Sequence, residues 1–383
     1  MSERKRKKLI LLIVLIVMAL AMTILVLVLS TLDKKADNEA IAQAKQKEQQ
    51  KKQSTQGNAD QEPEREIEGT LVFGDTEYNY YDSLETYLVI GTDGSGNDAE
   101  DPEEYKGDMA DFLVLLVIDK TAQTYSAVQI NRDTMMEVPI VNADGSAHAS
   151  ADQQICTAHW YGGNAQMGDE NTVNCVSTLL GGIEINGYYT MNMDHIKELN
   201  HAVGGVDVII EDDFSQDDPS LVMGETIHLT DEQAVSFIRG RMTVGDGQNT
   251  SRMRRQSVYM NAFYEKVKQM THEDPAFINN LYKDMMSLAS TNMNGNDVSR
   301  ITNSILTFAG KGLKTIEGKQ ELGKVASDLE DHVMFYADET SIISVMTEVC
   351  SLEKGDKIES SDEDDADDEE DEDEEDVEED EEE

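Results

Sequence analysis

FLVLLVI, at residues 112–118, is a run of seven apolar residues that begins directly after Asp111. A similar run, TYLVIG, precedes it at residues 86–91, and YSAVQI follows at residues 125–130. Short continuous runs rich in branched side chains are typical of central strands that are covered on both faces. We therefore predict a buried sheet built around these three segments.

Helical patterns lie between and after these strands. Residues 171–180 form one, and residues 230–238 open with the Thr230-to-Gln233 spacing of a capping box. Residues 252–270 form a longer amphipathic helix, and the segment VGGVDVII at 203–210 is predicted as a further strand. Strands that alternate with helices predict an α/β fold with three α/β/α layers around a mostly buried central sheet. Its C-terminal part, from about residue 273, is predicted to be mostly helical.

An uncharged apolar run of 21 residues, residues 9–29, follows the basic cluster ERKRKK at residues 3–8. As a helix it would be roughly 31 Å long, which matches the hydrocarbon core of a bilayer. A buried core helix would keep a polar face, which this run lacks. We predict a single transmembrane helix within residues 9–32. The basic cluster places residues 1–8 in the cytoplasm and the rest of the chain outside.

Composition divides the remainder into three parts. Residues 33–66 are rich in Lys, Gln, Ala and Glu and are predicted to be an extracytoplasmic linker. Residues 67–352 have a globular pattern and are long enough for one large domain. Residues 353–383 are predicted to be a disordered acidic tail, because the last 22 residues contain twenty carboxylates and no basic side chain.

The chain is strongly acidic, with a formal net charge of −47. Without its last 22 residues, 58 acidic and 31 basic residues remain, so the net charge is still −27. A nucleic-acid partner is excluded on this ground, because binding a phosphate chain needs a basic face. Any anion site must therefore be a local concentration of arginine.

Such a concentration exists, since five of the ten arginines lie between residues 239 and 255. Arg239 and Arg241 are two residues apart, so in extended backbone they point the same way. Arg252, Arg255 and Gln256 share one face of the next helix, whereas Arg254 points elsewhere. Paired guanidinium groups suit a pyrophosphate, because each binds phosphate oxygens in a bidentate manner. The alternative is that each arginine pairs with a surface carboxylate.

Acidic residues lie at the ends of the predicted strands. Asp93 follows the first, Asp111 precedes the second, and Asp133 ends the third beside Arg132. Strand ends are where α/β sheets bind ligands, and carboxylates that converge there can hold Mg²⁺ against a phosphate. Each aspartate could instead form a turn.

The three cysteines, Cys156, Cys175 and Cys350, include no CxxC pair and no zinc-site spacing. An extracellular location permits a disulfide between Cys156 and Cys175. Free buried thiols are the other reading, and the sequence leaves both open.

Taken in order, these segments resemble the LytR–CpsA–Psr family of cell-envelope proteins. The resemblance rests on IGTD (90–93), Asp111, INRDT (130–134), AHWYGG (158–163), GGVDV (204–208), LTDEQAVSFIRGR (229–241) and RMRRQ (252–256). It implies an α/β/α fold with an apolar pocket for a lipid chain. It also implies transfer of a glycopolymer from a polyprenyl-pyrophosphate carrier to peptidoglycan, which forms a phosphodiester outside the cell.

The same resemblance assigns roles to individual residues. Asp93 and Asp111 would hold Mg²⁺, and Asp133 would orient its neighbours or act as a base. Arg132 and Arg252 would take part in catalysis. The pyrophosphate would be bound by Arg132, Arg239, Arg241, Arg252, Arg255 and Gln256.

This chain departs from the family pattern at three positions. Met109 stands where an arginine is common, Gln154 where a lysine is common, and Asn249 where an aspartate is common. The predicted pocket is therefore one unit less positive. Two other functions stay open for this reason: a non-catalytic scaffold for lipid-linked or wall polymers, and a pyrophosphatase that acts on the lipid carrier.

Overall fold

The computed structural model describes residues 66–97, 106–274, 277, 281, 285–286, 288–325 and 331–357. The predicted transmembrane helix within residues 9–32 and the acidic run at the C-terminus lie outside the described residues, as does nearly all of the predicted linker. None of the helices in the described part of the chain has the length and apolar character needed to cross a bilayer.

The described residues include fifteen strands, seven α-helices and one short 3-10 helix, Met193–His195. The strands are β1 (Gly69–Phe73), β2 (Thr76–Tyr80), β3 (Leu84–Thr92), β4 (Ala110–Asp119), β5 (Thr124–Ile130), β6 (Met135–Val141), β7 (Ala147–Gln154), β8 (Gly187–Asn192), β9 (Asp207–Ile209), β10 (Thr226–His228), β11 (Ala289–Thr291), β12 (Ala309–Thr315), β13 (Gly318–Lys324), β14 (Asp331–Ala337) and β15 (Glu353–Lys357). The helices are α1 (Thr157–Trp160), α2 (Ala165–Leu179), α3 (Ile196–Val203), α4 (Asp231–Arg239), α5 (Asn249–Glu273), α6 (Gly295–Thr307) and α7 (Glu339–Cys350).

The central sheet has six strands in the order β11-β8-β3-β4-β5-β12. Strands β3, β4 and β5 form an antiparallel meander, while β8 runs parallel to β3 and β12 runs parallel to β5. The fold is therefore mixed α/β around a mixed sheet. The three apolar runs supply its centre, which confirms the buried strands predicted from sequence.

Alternate side chains of the central strands enter two separate cores. Val89 and Leu116 pack on one face of the sheet with helices α3 to α6. Leu88 and Leu115 pack on the other face with helices α2 and α7 and with strand β1. Since both faces are covered, these strands carry continuous apolar runs in place of alternation. The result is a layer of helices on each side of the sheet.

Three predicted elements differ from the structure. The predicted disordered tail does not begin at residue 353, because Glu353–Lys357 form strand β15 and pair with β2. The described residues between about 273 and 350 are not mostly helical, because strands β11 to β14 lie among them. The segment 203–210 supplies only the three-residue strand β9, since Val203 ends α3 and Gly204 and Gly205 turn the chain at positive φ. Strands β12 (AGKGLKT) and β13 (GKQELGK) consist mostly of small and polar residues without apolar alternation, so their pattern does not identify a strand.

A β-bulge lies at the start of β4, where it pairs with the end of β3. Gly91 pairs with Phe112, but Thr92 pairs with Ala110, so Asp111 is the extra residue of β4. A bulge of this kind re-aims a side chain. Because β4 runs antiparallel to β3 and β5, it begins at the end of the sheet where those two strands finish. Asp111 therefore lies at the same end of the sheet as the residues that follow β3 and β5.

Candidate functional site

Asp111 lies between two arginines from distant parts of the chain. Its Oδ1 accepts from Arg132 Nη1, and its Oδ2 accepts from Arg252 Nη1 at 2.7 Å. Arg252 also donates from Nη2 to the Asp111 carbonyl at 3.3 Å. The Arg252 side chain is only 3% exposed. The bulge residue thus joins the end of β5 to the start of α5.

Asp133 is a second anionic centre and is completely buried. Its Oδ2 accepts from Arg241 Nη2 at 2.7 Å, and its Oδ1 accepts from Gln154 Nε2 at 3.0 Å. Arg132 Nε lies 3.4 Å from the same Oδ1. We call Asp111, Arg132, Asp133, Arg241 and Arg252 the arginine–aspartate cluster. It has three positive and two negative side chains, so its formal net charge is +1.

Two asparagines close the arginine–aspartate cluster into a ring. Arg252 Nε donates to Asn249 Oδ1 at 3.0 Å, and Asn249 Nδ2 donates to Asn131 Oδ1 at 2.6 Å. Asn131 Oδ1 also accepts from the Asp133 backbone N–H at 3.0 Å. Asn131 was not among the predicted site residues. Its position between a buried strand and the Arg–Asp pair is the signal that could have identified it.

Burial, together with the neighbouring charges, shifts the pKa values in the cluster. Burial lowers the pKa of Arg252, and repulsion from Arg132 and Arg241 adds to that effect. Burial also opposes the charge of Arg132, but Cys156, Asp111 and Asp133 together outweigh it and hold the pKa of Arg132 above its usual value. Burial raises the pKa of Asp133 although Arg132 and Arg241 act against it. An anion placed among these arginines would relieve their repulsion.

Arg239 and Asp93 lie at the rim of the site. Arg239 Nη2 donates to the Asp93 carbonyl at 2.9 Å, and its Nη1 pairs with Asp194. The Arg239 side chain is 31% exposed, against 18% for Arg241. The two residues flank Gly240 at the end of α4, and both guanidinium groups turn toward the strand ends. Arg239 is the more accessible of the two.

Arg255 is not part of the arginine–aspartate cluster, although it lies one turn from Arg252. Its Nη1 pairs with Asp212 at 2.5 Å, its Nε donates to the Phe237 carbonyl at 3.0 Å, and its Nη2 donates to the Gly240 carbonyl. All three nitrogens are thus occupied inside the protein. Its contacts place it as a support for the turn that carries Arg239 and Arg241, and give no support to the predicted direct binding of pyrophosphate.

The two carboxylates predicted to hold Mg²⁺ differ in their surroundings. Asp93 Oδ1 accepts from Ser95 N, Ser95 Oγ and Met109 N, whereas both oxygens of Asp111 accept from arginines. Among the described residues, no group of three or more His, Cys, Asp or Glu side chains could hold a metal. Two carboxylates still fit Mg²⁺, because this ion is commonly held by one or two carboxylates together with substrate phosphates.

The three residues that depart from the family pattern all contact the cluster or its ring. Met109 Sδ lies 3.3 Å from Arg132 Nη2. Gln154 bonds Asp133, and Asn249 bonds both Arg252 and Asn131. Each position is therefore filled by a neutral side chain that still makes a polar contact. The ring is complete without the missing charges.

An apolar cavity adjoins the cluster on the face of the sheet that packs against helices α3 to α6. It is lined by branched aliphatic, aromatic and methionine side chains, among them Phe112, Tyr189, Met191, Tyr259 and Met260. Phe112 is next to Asp111 in the chain, and Gln256, which also lines the cavity, lies one turn after Arg252. Gln256 Nε2 and Tyr189 Oη are buried and have no hydrogen-bond partner among the described residues.

All three cysteines are buried free thiols, and the structure contains no disulfide between Cys156 and Cys175. Of the two possibilities that the sequence left open, free buried thiols are the one observed. Cys156 Sγ lies 2.8 Å from Arg132 Nη2. Burial raises the pKa of Cys156 to about 11 even though Arg132 acts in the opposite direction. The thiol therefore packs against the cluster as a neutral group.

A model of the LytR_cpsA_psr family matches residues 30–350. Two similar curated proteins are polyisoprenyl-teichoic acid–peptidoglycan teichoic acid transferases named TagU. The one from Bacillus cereus is 30% identical over 171 residues, 45% of this chain and 49% of the relative. The one from Enterococcus faecalis is 25% identical over 248 residues, 64% of this chain and 71% of the relative. The chain thus spans about half the length of the Bacillus relative.

Two solved structures share the fold. Protein gbs0355 from Streptococcus agalactiae has a TM-score of 0.56 at 15% identity, over 72% of this chain and 90% of that chain. TagV from B. subtilis has a TM-score of 0.51 at 21% identity, over 70% of this chain and 96% of that chain. At such identities the likeness concerns the fold alone.

Proposed function

The chain belongs to the LytR–CpsA–Psr family, and from that premise we propose that it is a phosphotransferase that joins a glycopolymer to peptidoglycan. The donor is the polymer on a polyprenyl-pyrophosphate carrier. The observation that carries the proposal is the arginine–aspartate cluster beside an apolar cavity, because a lipid pyrophosphate has a polyanionic head and an apolar chain. The names of the TagU relatives support the same class of reaction.

In this proposal the pyrophosphate binds to the arginines of the cluster. Some of the guanidinium N–H groups that now bond Asp111 and Asp133 turn toward phosphate oxygens. These groups belong to Arg132, Arg241 and Arg252. Arg239 closes the site from the rim. A phosphate that bridges these groups lowers the repulsion that reduces the pKa of Arg252. The net charge of +1 on the cluster favours an anion in a protein that is otherwise strongly acidic.

The reaction is a displacement at phosphorus. A hydroxyl of the wall sugar attacks the phosphorus next to the polymer, its oxygen forms the new P–O bond, and its proton is lost to water. The bond from that phosphorus to the bridging oxygen breaks, and polyprenyl phosphate leaves with the electron pair. Phosphoryl transfer depends mainly on positioning and charge stabilisation, which fixed guanidinium groups supply.

Asp133 acts in this scheme by orienting Arg132 and Arg241. Its carboxylate is fully buried, and both oxygens already accept hydrogen bonds. A general base has to reach the hydroxyl proton directly or through one water molecule. The orienting role fits these contacts better than the role of base.

Asp93 and Asp111 are the residues that would hold Mg²⁺. When bound, the ion would neutralise charge on the phosphate oxygens. Asp111 already holds two arginines in place, and Asp93 already holds the turn at residues 93–95, so each carboxylate also has a role in the protein itself.

The apolar cavity is proposed to receive the carrier's lipid chain close to the pyrophosphate. The proposed location agrees with such a donor: a single transmembrane helix within residues 9–32 places the globular domain on the outer face of the cell membrane. Peptidoglycan is then the acceptor partner, and nucleic acid is not a partner.

The decisive experiment uses the full-length chain in detergent, a polyprenyl-pyrophosphate-linked polymer and purified peptidoglycan. The transferase is expected to release polyprenyl phosphate only when peptidoglycan is present. Release without the acceptor would show a pyrophosphatase. Binding of the donor without release would show a scaffold, which is the alternative raised by Met109, Gln154 and Asn249.

A further inference from the structure

Gln154, the last residue of β7, joins the cluster to a hairpin through one amide group. Its Nε2 donates to Asp133 Oδ1 at 3.0 Å and to the Val333 carbonyl of β14 at 2.7 Å. The residue is 6% exposed, so water barely competes for these bonds. An amide nitrogen has two hydrogens, and both are used here.

The hairpin formed by β13 and β14 has other bonds to the same region. Phe335 N donates to the Asp133 carbonyl at 2.8 Å, and Thr134 forms a parallel bridge with Phe335. Gln320 on β13 bonds Gln248, which directly precedes α5. The hairpin therefore contacts both chain segments that supply the buried arginines of the cluster.

We propose that Gln154 is a positioning residue of the phosphate site. Its amide fixes the Asp133 carboxylate against the β13–β14 hairpin, and Asp133 in turn sets the positions of Arg132 and Arg241. This role rests on the proposed function and deepens it. Without the amide, Asp133 Oδ1 would keep only Arg132 Nε, at 3.4 Å.

Charged side chains at this position would change the charge of the cluster as well as the donors available to Asp133. With Gln154 the cluster keeps its formal charge of +1, whereas a lysine at this position would raise that charge to +2. A glutamate would place a second buried carboxylate against Asp133 and could not donate to it in its ionised form. The uncharged amide thus supplies both donors and leaves the cluster charge unchanged.

Three variants of the full-length chain in detergent test the role. Gln154→Met keeps the length and removes both donors, Gln154→Glu adds a like charge, and Gln154→Lys restores donors. Gln166→Met, on an exposed position of α2, is the matched control. The readouts are kcat and KM for transfer, binding of inorganic pyrophosphate, thermal stability, and hydrogen exchange at the Phe335 amide.

Gln154→Met is expected to lower kcat roughly 10- to 100-fold, the range for loss of a hydrogen bond to a charged group. Gln154→Glu lowers it further, while Gln154→Lys restores most of it. KM changes less than kcat, because misplaced arginines matter most where charge develops. The Phe335 amide exchanges faster in Gln154→Met and recovers in Gln154→Lys. Gln166→Met matches the wild type in every readout.

A Gln154→Met protein that loses thermal stability but keeps the wild-type kcat would overturn the proposal and leave a purely structural residue. If the wild-type chain neither binds pyrophosphate nor transfers polymer, the proposed function fails, and the positioning role fails with it. If the wild type is active and Gln154→Met equals it in kcat and in exchange at Phe335, only the positioning role fails.

Discussion

Arg252 and Arg254 lie two residues apart on α5 and have opposite surroundings. Arg252 is buried and directs three nitrogens to Asn249 and Asp111. Arg254 is half exposed and pairs with the exposed Glu211 and with the buried Asp212. A comparison of variants at the two positions therefore distinguishes an arginine of the phosphate site from a positive charge elsewhere on the same helix.

Arg252→Lys should lower transfer activity roughly 100-fold, because one ammonium group cannot replace a fork that fixes several acceptors. Arg254→Lys should change activity less than about twofold, because the Arg254 side chain is half exposed and the buried Asp212 keeps Arg255 as its partner. Steady-state kinetics on both variants check this expectation. Equal losses in the two variants would contradict the assignment of Arg252 to the site.

The cysteines provide a test that is independent of activity. Burial raises the pKa of Cys156 to about 11 and those of Cys175 and Cys350 to about 12. Alkylation at pH 8 followed by intact mass measurement should therefore label no thiol in the folded chain and three after unfolding. A single labelled thiol in the unfolded, unreduced chain would instead reveal a disulfide.

The same pKa shifts fix the direction of the alkaline stability change. The folded-state pKa of Cys156 lies above its unfolded value of about 9, so its contribution to stability is complete below pH 9 and is lost as pH rises through about 11. Urea unfolding across this range should show a falling free energy of unfolding.

Residue spacing correctly predicted which side chains share a buried face of α5. It grouped Arg252, Arg255 and Gln256, and all three are buried on α5 as expected for one face of a helix. It could not predict which part of the protein each of these side chains contacts, because one helix face is broad enough to pack against two different elements. Arg252 meets Asp111, Arg255 meets the end of α4, and Gln256 lines the cavity.

At the scale of elements, helix α4 carries the turn with Arg239 and Arg241 and begins with the predicted capping box. Thr230 Oγ1 accepts from Gln233 N at 3.2 Å, and Gln233 Oε1 accepts from Thr230 N at 3.0 Å. The signal was local, so sequence was sufficient to find it. Hairpins β6–β7 and β13–β14 were missed because in each of them one strand, β7 or β13, is mostly polar and exposed and lacks apolar alternation. Their pairing also depends on the rest of the fold.

Thr230→Ala should lower the free energy of unfolding by about 1 kcal/mol, the usual cost of losing an N-cap side chain. Thr230→Ser keeps the acceptor oxygen and should stay close to the wild type. Urea midpoints of the two variants make the comparison. An unchanged midpoint in Thr230→Ala would mean that packing alone holds the start of α4.

At the scale of the whole molecule, a small basic site lies in a strongly acidic protein. Residues before the last 22 carry a net charge of −27, whereas the arginine–aspartate cluster carries +1. A polyanionic donor is thus repelled at long range and attracted at short range. Buried pairs are screened by salt much less than surface charges are.

Raising the ionic strength should therefore increase the association rate of a polyanionic donor. The Debye length falls to about 10 Å at 0.1 M salt, which screens the surface repulsion. A donor with an uncharged polymer should show little dependence on salt. Stopped-flow binding with both donors checks this, and an association rate that falls with salt for the polyanionic donor would contradict it.

The proposed activity of the cluster is formation of a phosphodiester between polymer and peptidoglycan. Phosphorus NMR of peptidoglycan reisolated after incubation with the donor and the full-length chain, beside an Arg252→Lys control, measures this product itself. We expect a phosphodiester signal bound to the peptidoglycan and a much weaker signal in the control. Phosphate monoesters on free polymer, with no phosphorus bound to peptidoglycan, would contradict it and show hydrolysis in place of transfer.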